Sequence, residues 1–224
     1  MNKEDLETLL LETKDSRFKC YQADGKSEDR RILEEFKAFV KRKNEKFGYV
    51  GFSMEIDNRF DADSQYFYTR NESGLIVVTS RVTVRRPDNI IPFEMGFKPD
   101  GTKYIVNEPC NVGDVNSFGA SWNYLGESFE ALFLLYVCLA NFVIGKGMEK
   151  VFCLLDLDNP QIVQTYTGAG FELSEKYKEP IYFPSYGKLD ENNNLVPTKW
   201  RIMEMTAEKF QEYADKTTEF KKSI

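Results

Sequence analysis

The sequence predicts a mixed α/β fold, with a central mixed sheet, helices on both faces and a bulged central strand. Three observations carry this. Leu75 to Arg85 alternates, with Ile76, Val78, Ser80, Val82 and Val84 on one side and Thr79, Arg81, Thr83 and Arg85 on the other. Val151 to Leu155 is a continuous apolar run, as in a strand buried on both faces of a parallel pair. Asn159-Pro160 follows it directly with the chemistry of a helix start. Strands in a meander followed by strand–helix–strand–helix–strand give a mixed sheet covered on both sides.

Taken in order, Leu6, Leu9 and Leu10 are spaced for a short amphipathic helix, and Arg17 to Gln22 for a first strand. Ile32, Phe36, Phe39 and Val40 recur at helical spacing between Asp29 and Lys46, in a helix with a basic end. Gln65 to Thr69 is an aromatic-rich strand, joined to Leu75 by the turn residues Asn71-Glu72-Ser73-Gly74. Pro87 to Gly101 reads as an irregular connection and Lys103 to Val106 as the start of a strand. Val112 to Ala120 contains Gly113 and Gly119, and glycines inside a strand mark a bulge or a close backbone approach.

Ser128 is placed to cap a nearly all-apolar helix that Gly145 stops. Its apolar run, Ala131 to Ile144, falls short of the about 20 residues a bilayer requires, so it is expected in a core. Phe171 onward and Lys199 to Met205 form a last antiparallel pair joined by a loop from Gly187 to Pro197, and a final helix starts near Ala207. With no repeat and no low-complexity linker, residues 1–224 are expected to be one domain with short helical extensions at both ends.

Composition narrows the chemistry. Hydrophobic residues make up 42% of the 224 and aromatic ones 14%, enough for a core without disulfides or metals. The four cysteines are scattered, with no ligand spacing, and the acidic start lacks an apolar signal segment, so a cytoplasmic protein is expected. A formal charge of -6 argues against nucleic-acid binding. The chain has no histidine, which excludes Ser-His-Asp and Cys-His catalysis and His-ligated metals, so no metal cofactor is expected. A general base must be a carboxylate, lysine, cysteine, tyrosine or water. Cys138 falls in the apolar helix and reads as core, while Cys110 has no histidine to activate it, which disfavours a covalent acyl-enzyme.

The segment Asp158-Asn159-Pro160-Gln161-Ile162-Val163-Gln164-Thr165-Tyr166-Thr167-Gly168-Ala169-Gly170-Phe171 resembles the last conserved block of the GNAT acyltransferases. There an Asn opens a short helix, a Tyr stands seven residues on, and Gly-Phe closes it. The resemblance implies the GNAT fold, with splayed central strands, and a role for Tyr166 in hydrogen-bonding or protonating a leaving thiolate. A packed aromatic is the alternative for Tyr166 alone; Asn159 and Gly170-Phe171 in register favour the functional role.

The block from Met54 to Val82 is similar to two GNAT branches, the acyl-homoserine-lactone synthases and the N-acyl amino acid synthases. It runs Met54-Glu55-Ile56-Asp57-Asn58-Arg59-Phe60-Asp61, then Ser64 to Tyr68, then Gly74 to Val82. Asp57, Asp61 and Arg81 match the acidic cluster and arginine of those branches, which take acyl chains from acyl carrier protein. An acidic surface loop with one exposed arginine is the alternative. In Val112-Gly113-Asp114-Val115-Asn116-Ser117-Phe118 the acidic position is kept by Asp114, but Ser117 stands where those branches have arginine. An apolar wall would raise the pKa of Asp114 and make it a usable base; a bulge residue bonding a backbone N–H is the equal alternative.

The resemblance implies direct transfer. An amine deprotonated by Asp114, or by a water it holds, attacks the thioester. Backbone N–H groups at Phe118, Gly119 and Ala120 hold the oxyanion, Tyr166 assists the thiolate, and Arg81, Ser117, Gly126 and Asn159 bind substrate or donor.

The GNAT pyrophosphate loop is reduced to Ser121-Trp122-Asn123-Tyr124-Leu125-Gly126-Glu127-Ser128, and an acidic Glu127 at a helix start opposes phosphate. Acyl-CoA or acyl-acyl carrier protein is the expected donor, with long chains favoured. Trp122, Tyr124 and Phe129 are expected to line an acyl tunnel, and Arg81, Arg85, Arg86, Lys146 and Lys150 to dock a carrier protein. The expected acceptor is the amine of a small molecule such as an amino acid. An acetyl-CoA-dependent acetyltransferase and a non-catalytic acyl-thioester or lipid-binding protein are the competing functions.

Overall fold

A computed structural model describes residues 7–108, 111–121 and 127–222, with side chains described from 129 in the third helix and as far as 216 in the last. The elements are β1 (Thr8–Glu12), β2 (Phe18–Asp24), α1 (Arg31–Lys46), β3 (Tyr49–Val50), α2 (Met54–Asn58), β4 (Ser64–Asn71), β5 (Ile76–Val84), β6 (Val112–Ala120), α3 (Glu127–Gly145), β7 (Lys150–Asp156), α4 (Pro160–Gly168), β8 (Glu172–Leu173), β9 (Gly187–Leu189), β10 (Leu195–Pro197), β11 (Trp200–Thr206) and α5 (Ala207–Lys222). Eight strands form one sheet in the order β1-β2-β4-β5-β6-β7-β11-β8, and β10-β9-β3 form a small second sheet. The expected mixed sheet with helices on both faces is therefore present. No helix among the described residues is long and apolar enough to cross a membrane.

Among the described residues the core lies in three clusters. The largest fills the space between the sheet and α3 and α5, with Leu135, Leu139, Cys138 and Phe210 against Val78, Val151 and Met203. On the opposite face α1 lays Leu33, Phe36 and Phe39 over Tyr66 and Tyr68. A third cluster packs Phe93, Tyr104 and Tyr177 against Phe152 and Ile202.

Several local expectations need correction. Leu9 and Leu10 belong to a strand, not a helix, and Leu6 lies outside the described residues. Helical spacing there loses to hairpin pairing, because the chain returns directly as β2 and pairs Thr8 with Gln22 and Glu12 with Lys19. Ser128 stands inside α3, which begins at Glu127, and its side chain lies outside the described residues. Lys103 to Val106 contributes only the bridge from Lys103 to Phe97. Gly187 to Pro197 is a hairpin, turned by Asp190, whose carboxylate accepts the backbone N–H groups of Asn192 and Asn194 at 2.8 Å each. The C-terminal helix is no extension, since Phe210 of α5 is buried edge-to-face on Tyr136, ring centroids 4.3 Å apart.

The feature that makes room for a site is a splay in the middle of the sheet. Parallel strands β6 and β7 pair only through Val112, Gly113 and Asp114, opposite Lys150, Val151 and Phe152. Beyond that point β6 stays on β5 and β7 stays on β11, and the two halves of the sheet diverge.

Candidate active site

Within β6 the register against β5 passes from Thr79↔Gly119 to Arg81↔Asn116, so β6 carries one extra residue there. Ser117 takes up the bulge with φ +53, a backbone setting that non-glycine residues rarely hold. Thr79 Oγ1 donates to the Ser117 carbonyl at 3.1 Å and fixes the kink. Gly119 beside it is closely packed: a Cβ would lie 3.0 Å from Thr79 Oγ1 and 3.1 Å from Phe39 Cε1, so α1 rests directly on this backbone.

The splay opens into a cavity of about 480 Å³. Val115, Asn116, Ser117 and Phe118 of β6 form one wall, and Leu154 of β7 with Ile162 and Tyr166 of α4 the other. The connection after β5 supplies Pro92, Met95 and Phe97. Buried Glu94 holds that connection in place, accepting the backbone N–H groups of Ile91 at 3.0 Å and Val106 at 3.1 Å. Ser53 caps α2 by accepting from Ile56 N at 3.3 Å, which sets Ile56 and Asp57 on the cavity wall. Tyr49, Tyr186 and Trp200 close one side as a near-parallel aromatic group with centroids 5.5 to 5.8 Å apart.

Polar groups converge at one place. Arg81, 2% exposed, pairs its Nη2 with Asp57 Oδ1 at 2.9 Å and donates from Nε to Asn116 Oδ1 at 2.7 Å. Ser117 Oγ donates to the same Asn116 oxygen at 3.0 Å. Burial opposes the charge of Arg81, but the Asp57 carboxylate and Tyr66 outweigh it and raise its pKa well above the ordinary range. Behind it Lys37, also 2% exposed, reaches Asp61 Oδ1 at 2.6 Å, Asp57 Oδ2 at 3.3 Å and Asn58 Oδ1 at 2.5 Å. Arg30 and Tyr66 also bond Asp61; burial opposes its charge, but these donors and Lys37 bring its pKa below the usual carboxylate range. Arg81 is thus no exposed arginine beside a surface loop: it belongs to an ion chain running from α1 to the bulge. Lys37 escaped sequence reading because a lone lysine on a helix looks like a solvated charge.

Tyr166 lines the cavity, its ring edge-to-face with Phe118 across the splay at 5.7 Å and with Phe171 at 5.6 Å. Burial, and then the thiol of Cys153 and the carboxyl of Asp114, push its phenol well above the ordinary value. Asp114 is 1% exposed, and both carboxyl oxygens are closed to solvent without a hydrogen bond of ordinary geometry. Burial lifts its pKa to about 7, against the opposing pull of Arg81, the Phe93 backbone N–H and Asn116. The apolar surroundings expected from the sequence are present, and Asp114 is not among the residues that line the cavity.

Asn159 caps α4 through Ile162 N at 3.3 Å and, like Gly119 and Ala120, stands outside the lining residues. Gly170 leaves the helix with φ +92. Gly126, Trp122, Tyr124 and Cys110 lie outside the described residues. Phe129 is 55% exposed on the first turn of α3, so it lines no tunnel; the apolar lining comes instead from Phe52, Phe60, Phe97 and Phe183. Of the basic residues expected to dock a carrier, Arg81 is buried, Arg85 pairs with Glu94, Arg86 with Asp63 and Lys150 with Glu204, while Lys146 is exposed with its ammonium over the Phe142 ring. Among the described residues no group of three carboxylates or cysteines is arranged to hold a metal ion.

No family model matches the sequence, and no curated protein does. Solved structures do match. FeeM, an N-acyl amino acid synthase from uncultured soil microbes, is 12% identical over 88% of this chain and 94% of its own, with a TM-score of 0.57. TofI, in a ternary complex with an inhibitor and MTA, is 12% identical over 88% and 96%, with a TM-score of 0.58. An acetyltransferase of the GNAT family from Streptococcus pneumoniae is 13% identical over 84% and 99%, with a TM-score of 0.53. At 12–13% identity these likenesses show the fold, and this chain has the GNAT fold.

Proposed function

We propose that residues 1–224 act as an N-acyltransferase, passing a long acyl chain from acyl carrier protein or coenzyme A directly to the amine of an amino acid or similar small molecule. The observation that carries this reading is the splay itself: it joins a strained bulge, a buried phenol and an apolar cavity of about 480 Å³ in one opening. The FeeM likeness, to an N-acyl amino acid synthase, agrees with the amine acceptor.

In this mechanism the thioester lies along β6. The neutral amine forms the new C–N bond, and the oxyanion accepts backbone N–H groups between Phe118 and Ala120. The C–S bond breaks, the proton lost by nitrogen passes to cavity water, and the thiolate regains one from water. Tyr166, with its pKa pushed far up, serves as a hydrogen-bond donor to the thiolate and keeps its proton. Asp114, outside the cavity lining and with both carboxyl oxygens closed to solvent, acts through its field.

Tyr166→Phe should keep the fold and slow the chemical step on the order of tenfold to a hundredfold, the scale of a lost hydrogen bond to a charged group. Single-turnover rates at saturating donor measure this, and an unchanged rate would return Tyr166 to a packing role.

Acyl length tests the whole reading. Each methylene buried in the cavity adds roughly 0.8 kcal/mol, so octanoyl and palmitoyl donors should exceed acetyl by at least about tenfold in kcat/KM. Thiol release and product mass are followed with acetyl, octanoyl and palmitoyl groups on both carriers. A preference for acetyl-CoA would make the chain an ordinary acetyltransferase. Tight donor binding without thiol release would make it a binding protein.

A further inference from the structure

The second sheet, β10-β9-β3, takes no part in the splay, yet its root supplies cavity wall. Tyr49 stands in β3 opposite Lys188 of β9, and Tyr186 directly precedes β9. The sheet is tied down at several points. Gly51 holds φ +86 so close to Ser185 that a Cβ would lie 1.6 Å from the Ser185 carbonyl oxygen, and a Cβ on Gly187 would lie 2.1 Å from the Val196 oxygen. Asp156, fully buried at the end of β7, accepts the Tyr49 hydroxyl and, at 2.8 Å, the Lys188 ammonium, which also lies over the Tyr49 ring at 4.8 Å. Trp200 stands opposite Asp156 in the register of β11 on β7, and its indole lies 4° from parallel with the Tyr186 ring. A wall fixed in this way yields little to a ligand pressing on it.

The wall is also the closed side of the cavity. In the sheet β11 is separated from β6 by two strand spacings, roughly 10 Å, so Trp200 faces the bulge from across the splay. Tyr49 and Trp200 are 2% and 8% exposed, whereas the lining residues Ile56, Pro184 and Ser185 are exposed and mark where the cavity meets solvent. The two reactants differ in what they can leave behind. An alkyl chain gains by entering a sealed apolar region, but an amine that carries its proton until shortly before it reacts would lose its hydration there. We propose that Tyr49, Tyr186 and Trp200 form the stop for the acyl chain and set the longest chain that the cavity takes whole, with the second sheet as their support. This rests on the acyl-transfer reading for its ligand, but binding alone tests it.

Calorimetric titration of the full chain with S-acyl pantetheines, from butanoyl to stearoyl, uses the arm that both carriers share. Affinity should climb by up to about fourfold per added methylene, then stop climbing once the methyl end meets the aromatic group. Trp200→Leu and Tyr186→Leu should each move that break to chains about two carbons longer, because a truncated side chain leaves room that its neighbours only partly refill. Tyr49→Phe, which keeps the ring, should leave the break in place. A parent series without a break, no binding at any length, or a break that stays put in both leucine variants each overturns the proposal. If Trp200→Leu fails to fold, the half-buried Tyr186 decides alone. Thiol release and acylated product measured alongside separate the two readings. A movable break without acyl transfer keeps the stop and sinks the enzyme; acyl transfer with an immovable break does the reverse.

Discussion

Asp57→Leu should destabilise the fold by about 3–5 kcal/mol, the usual cost of leaving one member of a buried ion pair unopposed. The orphan would be Arg81, 2% exposed, whose remaining polar partners are Tyr66 and Asn116. Arg81→Met should cost somewhat less, because Lys37 at 3.3 Å still faces the stranded Asp57. The double variant Asp57→Leu/Arg81→Met removes one charge of each sign and leaves Lys37 with Asp61. It should lie within about 1–2 kcal/mol of the parent, far from the sum of the single costs. Urea midpoints at unchanged m measure all three, and strictly additive costs would show that the two side chains do not act as a pair. Activity should not return with stability. The Nε donor that fixes Asn116 is gone in the double variant, and with it the partner that holds the bulge at Ser117 in register.

That chain of ions also shows what a sequence can and cannot disclose. The strand at Ile76–Val84 was legible from alternation, and the cap of α4 from Asn159-Pro160, because both are local and depend on nearest neighbours. The bulge was legible only as two glycines; the residue that bears it is Ser117, and its position follows from the pairing with β5. Lys37 and Asp61 stand 24 positions apart, and the cavity draws residues from Val40 to Trp200. No periodicity reports contacts of that range. The same limit explains Leu9 and Leu10: their spacing suits a helix until β2 returns alongside and offers a ladder. It explains Asp114 too, whose strand parity predicted an apolar setting but not that both oxygens would be closed to solvent without a hydrogen bond.

Sealing gives Asp114 a measurable signature. Its pKa is raised from the ordinary 3.8 to about 7 by burial, so the folded state prefers the protonated acid. The sign follows from linkage. Below the unfolded value both states hold the proton and the full contribution is present; between there and about 7 the unfolded chain releases its proton while the folded one keeps it. Stability is lost across that window and levels off above it. At about 1.36 kcal/mol per pKa unit the loss is on the order of 4 kcal/mol by pH 8. Asp114→Asn, a neutral side chain of the same shape, should match the parent at pH 4 and exceed its stability at pH 8 by up to that amount. Other carboxylates titrate equally in both proteins and cancel in the difference. If Asp114 also sets the field behind Asn116, the variant's rate should lose any inflection near pH 7 that the parent shows. A stability difference that stays flat from pH 4 to 8 would mean that Asp114 is ionised throughout, with a counter-charge closer than Arg81.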